Sequence, residues 1–436
     1  MPDKQSMLPK KNLPFSFVYV LFVLDIIWQF YLQIHNGIWK ESWGVTEWLI
    51  NYQGGFVRRG LAGEIILWLY NHFGISPYYL ILLISASAYI LIVAYFIWAF
   101  NRKGYSLFLL PFVFFLGNPI INAYWIRKDL VLILFFISIL YLLVKKGSLS
   151  ILWINLLLII ALLMHEAIGF FCFPILFLVL AGKTESIKAI FKSLGSSILK
   201  LSPSLITFLL VLYNKGSVIS SATIWDSWKT VPFPYQNKNP ISTPGSIDGI
   251  SWSMHRNLNL LKGTLTDFYS GVYAPLLWAL IIILVYYILT NANKLQKDFL
   301  KKKPYADFNQ ANLSNILIFQ FLTVIPLFVF GCDFGRWIFF WVSSSFVVYF
   351  VVPQERLSVL FPSYLTTFGL KFNTLLSRIL PKSNWFYYIL PFLIGFPYFT
   401  SGPTWKVGID LFYNSTPIVI VFKLVFALVK KCLHLL

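Results

Sequence analysis

The feature that most constrains this chain is a series of predominantly apolar runs of membrane-spanning length. Residues 14–34, 76–100 and 312–331 each supply the roughly 20 predominantly apolar residues that a helix needs to cross a hydrocarbon core. Hydrophobic residues make up 58% of the 436 residues, and the mean hydropathy is +0.73, values that soluble domains rarely reach. We therefore predict an all-α, polytopic integral membrane helix bundle, in which residues 1–436 form a single transmembrane domain.

The apolar runs divide the chain into about a dozen predicted spans with short connections. The twelve spans cover 14–34, 76–100, 105–124, 129–144, 149–164, 167–181, 193–213, 273–290, 312–331, 337–352, 385–400 and 417–429. With a cytoplasmic N-terminus, the cytoplasmic segments hold 21 of the 35 Lys and Arg residues, against 12 on the other face. This positive-inside bias predicts that both termini are cytoplasmic.

The same distribution accounts for the formal net charge of +19, because the basic residues are dispersed between apolar runs. No nucleic-acid partner is predicted. The three cysteines have neither metal-ligand spacing nor an evident pairing, and no nucleotide-binding motif is present. We expect no metal and no cofactor.

Two stretches are predicted to lie outside the spans yet against the membrane. Residues 58–73 place apolar side chains at helical spacing, which is typical of an interfacial amphipathic helix. A second interfacial or re-entrant segment is predicted for 357–375, since both of its ends need to be cytoplasmic. The outer loop 214–272 is the one large soluble-like segment, rich in Trp, Pro, Ser and Asn.

The first outer loop contains two adjacent arginines between glycines, in the sequence Gly-Gly-Phe-Val-Arg-Arg-Gly at 54–60. Glycines allow close backbone approach to a ligand, and the arginine fork is suited to phosphate. We predict that Arg58 and Arg59 bind a diphosphate. The alternative is an interfacial anchor for anionic lipid head groups.

Further cations on the predicted outer face join the same predicted pocket. Arg127 and Lys128 precede the fourth span, where Asp129 is a candidate helix cap. Arg336 lies three residues after Asp333, so one helical turn brings both side chains to one side. We assign Arg127, Lys128 and Arg336 to diphosphate binding; a structural ion pair between Asp333 and Arg336 is the alternative.

His165 and Glu166 interrupt an almost continuous apolar stretch. Such a pair requires a boundary or a wet cavity, where desolvation would tune a carboxylate or imidazole as general base. We predict that one of them is the base and that Asp333 helps to orient the partner groups. The alternative is a short hairpin whose polar residues lie in water.

The outer loop is predicted to present aromatic side chains to a glycan. Flat rings beside short polar side chains suit sugars, although interfacial belt residues have the same composition. The predicted glycan-binding residues are Trp225, Trp228, Tyr235 and Trp252.

The constellation of Arg58–Arg59, Arg127, His165–Glu166 and Arg336 in a bundle of about twelve helices resembles the integral-membrane glycosyltransferases that use polyprenyl-linked sugar donors. Within that group the chain is most similar to the bacterial O-antigen and capsular repeat-unit polymerases. The resemblance implies polymerisation of polyprenyl-diphosphate-linked oligosaccharide at the outer face of the bacterial inner membrane. It also implies membrane lipids and a chain-length regulator protein as partners.

Two other classes share parts of this pattern. A related glycosyltransferase superfamily has an acidic catalytic residue in the first outer loop, followed by an interfacial helix; Glu41 or Glu47 would occupy that place here. A flippase or exporter of lipid-linked oligosaccharide would also have a cationic cavity, but it would need charges deep within spans.

Overall fold

A computed structural model describes the greater part of the chain. It covers 13–103, 105–145, 147, 149–182, 187–237, 243–266, 268–269, 272–291, 309–331, 333–380, 384–397 and 405–407. The predicted cytoplasmic segment 1–13, except its last residue, and the predicted span 417–429 lie outside the described residues.

The first half of the chain forms long helices joined by a buried irregular segment. Its helices are α1 (Leu13–His35), α2 (Trp43–Trp48), α3 (Gly60–Phe73), α4 (Pro77–Lys103), α5 (Asn118–Ile121), α6 (Asp129–Lys145), α7 (Ser150–Met164), α8 (Ala167–Ala181), α9 (Ile187–Lys200) and α10 (Ser202–Tyr213). A short 3-10 helix covers Leu107–Leu109.

The second half contributes the outer loop and the helix at the centre of the bundle. Its helices are α11 (Val218–Lys229), α12 (Gly245–Asp248), α13 (Met254–Thr266), α14 (Ala274–Thr290), α15 (Gln310–Phe330), α16 (Phe334–Val351), α17 (Gln354–Leu360), α18 (Ser363–Ile379) and α19 (Asn384–Leu393). Two short antiparallel pairs join β1 (Phe268–Tyr269) to β2 (Val272–Tyr273) and β3 (Gly395–Pro397) to β4 (Trp405–Val407).

Among the residues that the structure describes, four helices are long and apolar enough to cross a membrane: α1, α4, α15 and α16. The bent pair α9 and α10, which meet at 73°, would make a fifth span. The predicted helical membrane-protein class therefore agrees with the structure, whereas the count of twelve spans is not confirmed. The helices α7, α8 and α14 match predicted spans in position, but they have 15, 15 and 17 residues and so are shorter than the four long helices.

One predicted span is wrong in its local structure. Residues 105–124 form turns, a 3-10 helix and the short α5 instead of one long helix. Pro111 and Pro119 interrupt the helical hydrogen-bond pattern, and Gly117 lies where a Cβ would be 2.0 Å from the Pro111 carbonyl oxygen. Irregular backbone is tolerated here because the segment is almost entirely buried in protein.

Helix α16 is the centre of the bundle and positions the site. It packs against α15, α6 and α8, and most of its side chains are buried. The first turn of α16 carries Arg336 beside the N-terminus of α6, where Asp129 begins the helix. The loop that joins α1 to α3 and the turn between α7 and α8 approach the same end of these two helices.

The outer loop packs onto the first loop rather than standing free. The amide of Arg58 donates a hydrogen bond of 3.0 Å to the carbonyl of Asn214. Gly54 has no room for a side chain, because a Cβ would lie 2.5 Å from the Ser220 carbonyl oxygen. The first of the paired glycines therefore serves chain packing, whereas Gly55, with φ of +95°, faces open space.

Candidate functional site

Ten charged or titratable side chains from five parts of the sequence converge at the N-terminal ends of α6 and α16. We call them the charge cluster: Glu47, Arg58, Arg59, Arg127, Lys128, Asp129, His165, Glu166, Asp333 and Arg336. Eight of the ten were singled out from the sequence as site residues, and the fold brings all eight together. Glu47 was named only within an alternative, and Asp129 only as a helix cap.

The arginine on α16 holds the centre of the charge cluster. The Arg336 guanidinium makes a two-point contact with Asp129, through Nε and Nη2. It also lies 3.3 Å from Glu47 and 3.4 Å from Asp333. Both Arg336 and Asp129 side chains are 4% exposed, so these charges are compensated by each other and not by water.

The closer partner of Asp333 comes from a different element. Arg127 Nη1 donates to Asp333 Oδ2 at 2.7 Å, shorter than the 3.4 Å contact within the Asp333–Arg336 turn. The predicted pairing of Asp333 with Arg336 is therefore present but secondary. Asp333 keeps a side chain that is 25% exposed, which places it at the rim of the charge cluster.

Arg59 is the N-cap of α3, with a left-handed backbone (φ of 68°). That conformation costs roughly 1–2 kcal/mol for a residue other than glycine. Two contacts hold it: Lys128 Nζ donates to the Arg59 carbonyl at 2.9 Å, and Arg59 Nε donates to Glu166 Oε2 at 2.9 Å. The predicted start of the amphipathic helix is thus fixed by the charge cluster.

Arg58 donates one side-chain hydrogen bond, whereas Arg59 donates three. Arg58 Nη2 donates to the carbonyl of Gly249 at 3.1 Å, and its Nη1 lies 3.6 Å from Glu166. Its Nε is buried and has no hydrogen-bond partner in the described part of the chain. With a side chain that is 21% exposed, Arg58 has more donor capacity left for an anion than Arg59.

Lys128 faces inward and holds two loops together. Its side chain is fully buried, and Nζ donates to the carbonyls of Arg59 and Met164 at 2.9 and 3.3 Å. Burial lowers the pKa of Lys128 to about 7, although the neighbouring Glu47 and Glu166 oppose this. Lys128 therefore stabilises backbone rather than facing the space beside Arg58.

The histidine between α7 and α8 is neutral and oriented. His165 Nδ1 accepts a hydrogen bond from the Ala167 amide at 3.1 Å. The ring proton therefore lies on Nε2, which donates to Glu47 Oε1 at 3.0 Å. Burial, and then the charge of Arg59, lower the pKa of His165 below its usual value. The imidazole positions the Glu47 carboxylate.

Glu166 is tied to the two arginines of the first loop. Burial alone would raise its pKa, but the charge and hydrogen bonds of Arg59, together with the charge of Arg58, hold the pKa of Glu166 well below its usual value. A carboxylate that accepts three hydrogen bonds from Arg59 has little capacity left for a substrate hydroxyl. The prediction that His165 or Glu166 is the base remains a prediction; the geometry favours other roles for both.

Glu47 belongs to the charge cluster, although the sequence named it only as one of two acids within an alternative. It is fully buried on α2, and its Oε2 has no hydrogen-bond partner among the described residues. Burial raises its pKa, but Arg336, His165 and Arg127 outweigh this and hold the pKa well below its usual value. An acid flanked by Val45 and Trp48 in a non-spanning segment was the available signal, because such a carboxylate needs buried partners.

Aromatic rings enclose the cations of the charge cluster. Arg127 lies 4.9 Å from the ring of Tyr124 and 5.8 Å from that of Trp43, and Lys128 lies 5.8 Å from the ring of Trp48. Such contacts stabilise desolvated cations by up to about 2 kcal/mol each. Trp48 is itself fixed, because its Nε1 donates to the carbonyl of Ile126 at 2.6 Å.

The predicted glycan-binding aromatics need correction. Trp225 and Trp228 are 3% and 0% exposed, and Trp228 Nε1 donates to the carbonyl of Leu49, so both rings pack the outer loop onto the protein. Tyr235 packs against Gly37 and Tyr78. Trp252 is only partly buried and stacks beside Arg256 at 4.1 Å. Tyr235 and Trp252 are thus the two of the four that keep partly exposed side chains.

The described residues contain no group of three or more His, Cys, Asp and Glu that could hold a metal ion. Comparisons with protein families, with curated proteins and with solved structures gave no match. The site must therefore be interpreted from its own chemistry.

Proposed function

We propose that the protein is a membrane glycosyltransferase that uses a polyprenyl-diphosphate-linked sugar donor at the outer face, of the repeat-unit polymerase kind. The observation that carries this proposal is a pair of buried, under-used polar atoms in one cluster: Arg58 Nε and Glu47 Oε2. One is a hydrogen-bond donor with positive charge and the other is an acceptor with negative charge. Buried polar atoms normally have a partner, so an atom without one in the protein is suited to pair with a ligand or with water.

The two atoms suit the two needs of glycosyl transfer. When the bond between the anomeric carbon and the diphosphate oxygen breaks, negative charge develops on the leaving group, and Arg58 and Arg59 at the rim would stabilise it. The incoming hydroxyl oxygen forms the new bond to the anomeric carbon and must lose its proton. Glu47 Oε2 is the acceptor in this proposal, with His165 holding Oε1.

A low pKa does not exclude Glu47 from this role. A carboxylate of low pKa is a weak base, so it accepts the proton late, when the developing bond has made the hydroxyl acidic. The charges around it also keep it ionised at neutral pH, as a proton acceptor requires. Asp333 at the rim would then orient Arg127, and Lys128 would fix the loop that carries Arg59.

The compensation of charge within the cluster has a consequence for donor binding. Five cations face four carboxylates, so the cluster carries little net charge, and a diphosphate must replace Glu166 as a partner of Arg58 and Arg59. Arg58 is expected to make the first contact, since it is the less engaged of the two. Some apolar side chains of α3 point away from the protein, such as Ile65 and Phe73. They are suited to the lipid interface at the outer face of the inner membrane, beside Arg58.

A second candidate follows from the place of Glu47. A single-addition transferase with its acidic residue in the first outer loop, followed by an interfacial helix, would have the same order of α1, α2 and α3. Both candidates are multi-pass proteins of the bacterial inner membrane. The shorter helices α7, α8 and α14 would serve as further spans in the proposed twelve-span topology.

Incubation of the purified protein with lipid-linked oligosaccharide tests these alternatives in one assay. A ladder of products supports the polymerase, and one added unit supports the single-addition transferase. A change of lipid sidedness in vesicles without any new glycosidic bond would replace both with a flippase. Absence of both chemistry and sidedness change, in protein whose fold is verified by its unfolding transition, would refute the proposal.

A further inference from the structure

A cavity of about 790 Å³ lies at the end of the bundle opposite to the charge cluster. Helix α16 connects the two places: Arg336 in its first turn belongs to the charge cluster, and Val351 at its last residue lines the cavity. Helix α6 does the same with Asp129 and Tyr141. The positive-inside distribution places this end of the bundle at the cytoplasmic surface.

Two basic residues end α4 at this cavity and differ from those of the charge cluster. Arg102 and Lys103 line it, and in the part of the chain that the structure describes neither forms an ion pair with a carboxylate. Glu355 also lines the cavity without pairing with them. Most cations of the charge cluster are compensated by buried acids, whereas Arg102 and Lys103 have no such partner among the described residues and so have charge to offer a ligand.

Hydrogen bonds within the protein hold the polar wall of the cavity in place. The Asn309 amide donates to the Tyr349 hydroxyl at 3.0 Å, and the Asn309 side chain accepts from the Asn312 amide at 3.0 Å. Asn312 in turn donates to the side chain of Gln354 at 3.0 Å. These bonds join the start of α15 to the end of α16, so the polar wall is rigid and ordering it adds little to the cost of binding.

Aromatic side chains also line the cavity. The Arg102 guanidinium lies 5.2 Å from the ring of Trp98, and Trp98 and Tyr141 remain 47% and 42% exposed. Tryptophan, tyrosine and basic residues at the end of a long apolar helix are typical of the level of lipid head groups. The cavity therefore combines basic and aromatic lining residues, a combination suited to a lipid phosphate.

We propose that this cavity binds the phosphate of an anionic membrane lipid, with Arg102 and Lys103 contacting the phosphate and Trp98 and Tyr141 flanking the glycerol region. Basic pockets between helices at the cytoplasmic surface are suited to such head groups. The site is independent of the proposed glycosyl transfer, since no residue is shared with the charge cluster. A free phosphate anion has the same charged chemistry, and the experiment separates the two.

Native mass spectrometry of the delipidated full chain in detergent tests the proposal. Phosphatidylglycerol, phosphatidylcholine and inorganic phosphate are added separately, and the fraction of lipid-bound protein is measured against concentration. Wild-type protein is expected to retain phosphatidylglycerol in preference to phosphatidylcholine. Because each basic residue at such a surface contributes about 1 kcal/mol, Arg102→Gln with Lys103→Gln is expected to weaken phosphatidylglycerol binding about 30-fold.

The matched control is Lys145→Gln with Arg378→Gln, which removes one Lys and one Arg from exposed positions at the same end of the bundle, outside the cavity. This control is expected to leave phosphatidylglycerol binding within about threefold of wild type, since neither residue lines the cavity. Equal weakening by both pairs would overturn the proposal, because it would indicate general surface attraction. Competition by inorganic phosphate as effective as that by phosphatidylglycerol would overturn the lipid assignment.

Discussion

The ion pair between Arg336 and Asp129 gives the sharpest test of how the charge cluster stabilises the fold. Removing one partner of a buried pair leaves an uncompensated charge and costs about 3–5 kcal/mol. In Asp129→Asn, Arg336 keeps Glu47 at 3.3 Å and Asp333 at 3.4 Å, so we expect a loss of about 3 kcal/mol. In Arg336→Met, three carboxylates lose a partner, and we expect about 5 kcal/mol.

The double variant separates pairing from packing. Once Arg336 is gone, Asp129 is a stranded carboxylate, so adding Asp129→Asn removes a destabilising charge. The double variant should therefore be no less stable than Arg336→Met alone, which makes the coupling between the two substitutions about 3 kcal/mol or more.

The free energy of unfolding is measured by equilibrium SDS titration in mixed micelles, followed by tryptophan fluorescence. The control is Lys229→Met, which breaks an exposed pair whose side chains are 58% and 59% accessible and should cost at most about 1 kcal/mol. Losses that simply add in the double variant would refute the account of a mutually compensated cluster.

Three further predictions concern the same region and the topology around it. Gly63→Ala should reduce stability strongly, because its Cβ would lie 2.0 Å from the Ile50 carbonyl oxygen. Gly74→Ala should cost only the strain of its positive φ, since its Cβ meets open space. Thermal unfolding of both variants measures the difference, and equal losses of stability would contradict this prediction. Because the pKa of Lys128 falls from 10.5 to about 7 on folding, the unfolded chain binds more protons between these values. The stability of wild type relative to Lys128→Met should therefore rise as pH increases from about 7 toward 10. SDS titrations across that range measure the difference in free energy of unfolding between the two proteins. A difference that does not change with pH would contradict the burial of Lys128. In a background without native cysteines, Phe56→Cys and Ser217→Cys should react with an impermeant thiol reagent in spheroplasts while Lys371→Cys should not; the reverse pattern would place the charge cluster on the cytoplasmic side.

Much of the helical arrangement was accessible from the sequence, because apolar length and charge bias are direct physical requirements of a bilayer. The positions of α1, α4, α15 and α16 follow their predicted spans closely. The segment 105–124 does not, since its apolar composition is equally suited to an irregular chain buried inside protein. Composition alone cannot separate these two environments; the prolines at 111 and 119 were the informative residues.

Most residues of the candidate site could be predicted from the sequence, but the contacts between them could not. Local sequence identified Arg58, Arg127 and Arg336 as unusual charges near a membrane boundary. It could not reveal that Asp129 lies against Arg336, because that contact depends on how α6 packs against α16. Glu47 was harder still, since α2 is only six residues long and nothing in its neighbourhood indicates a partner 289 residues away.

The role of Glu47 is the claim on which the proposed chemistry depends, and the single-turnover rate of glycosyl transfer measures it most directly. Purified wild type, Glu47→Gln and Glu41→Gln are each mixed in excess over lipid-linked oligosaccharide, so that each protein molecule turns over at most once, and donor binding is measured in parallel. Glu41 is the matched control, because it belongs to the same loop but not to the charge cluster. Its carboxylate accepts a hydrogen bond from the Asn237 amide. Removing a positioned proton acceptor predicts a rate about 10²–10⁴-fold lower in Glu47→Gln, with donor binding retained and with Glu41→Gln near wild type. A Glu47→Gln protein that turns over at the wild-type rate would contradict the account.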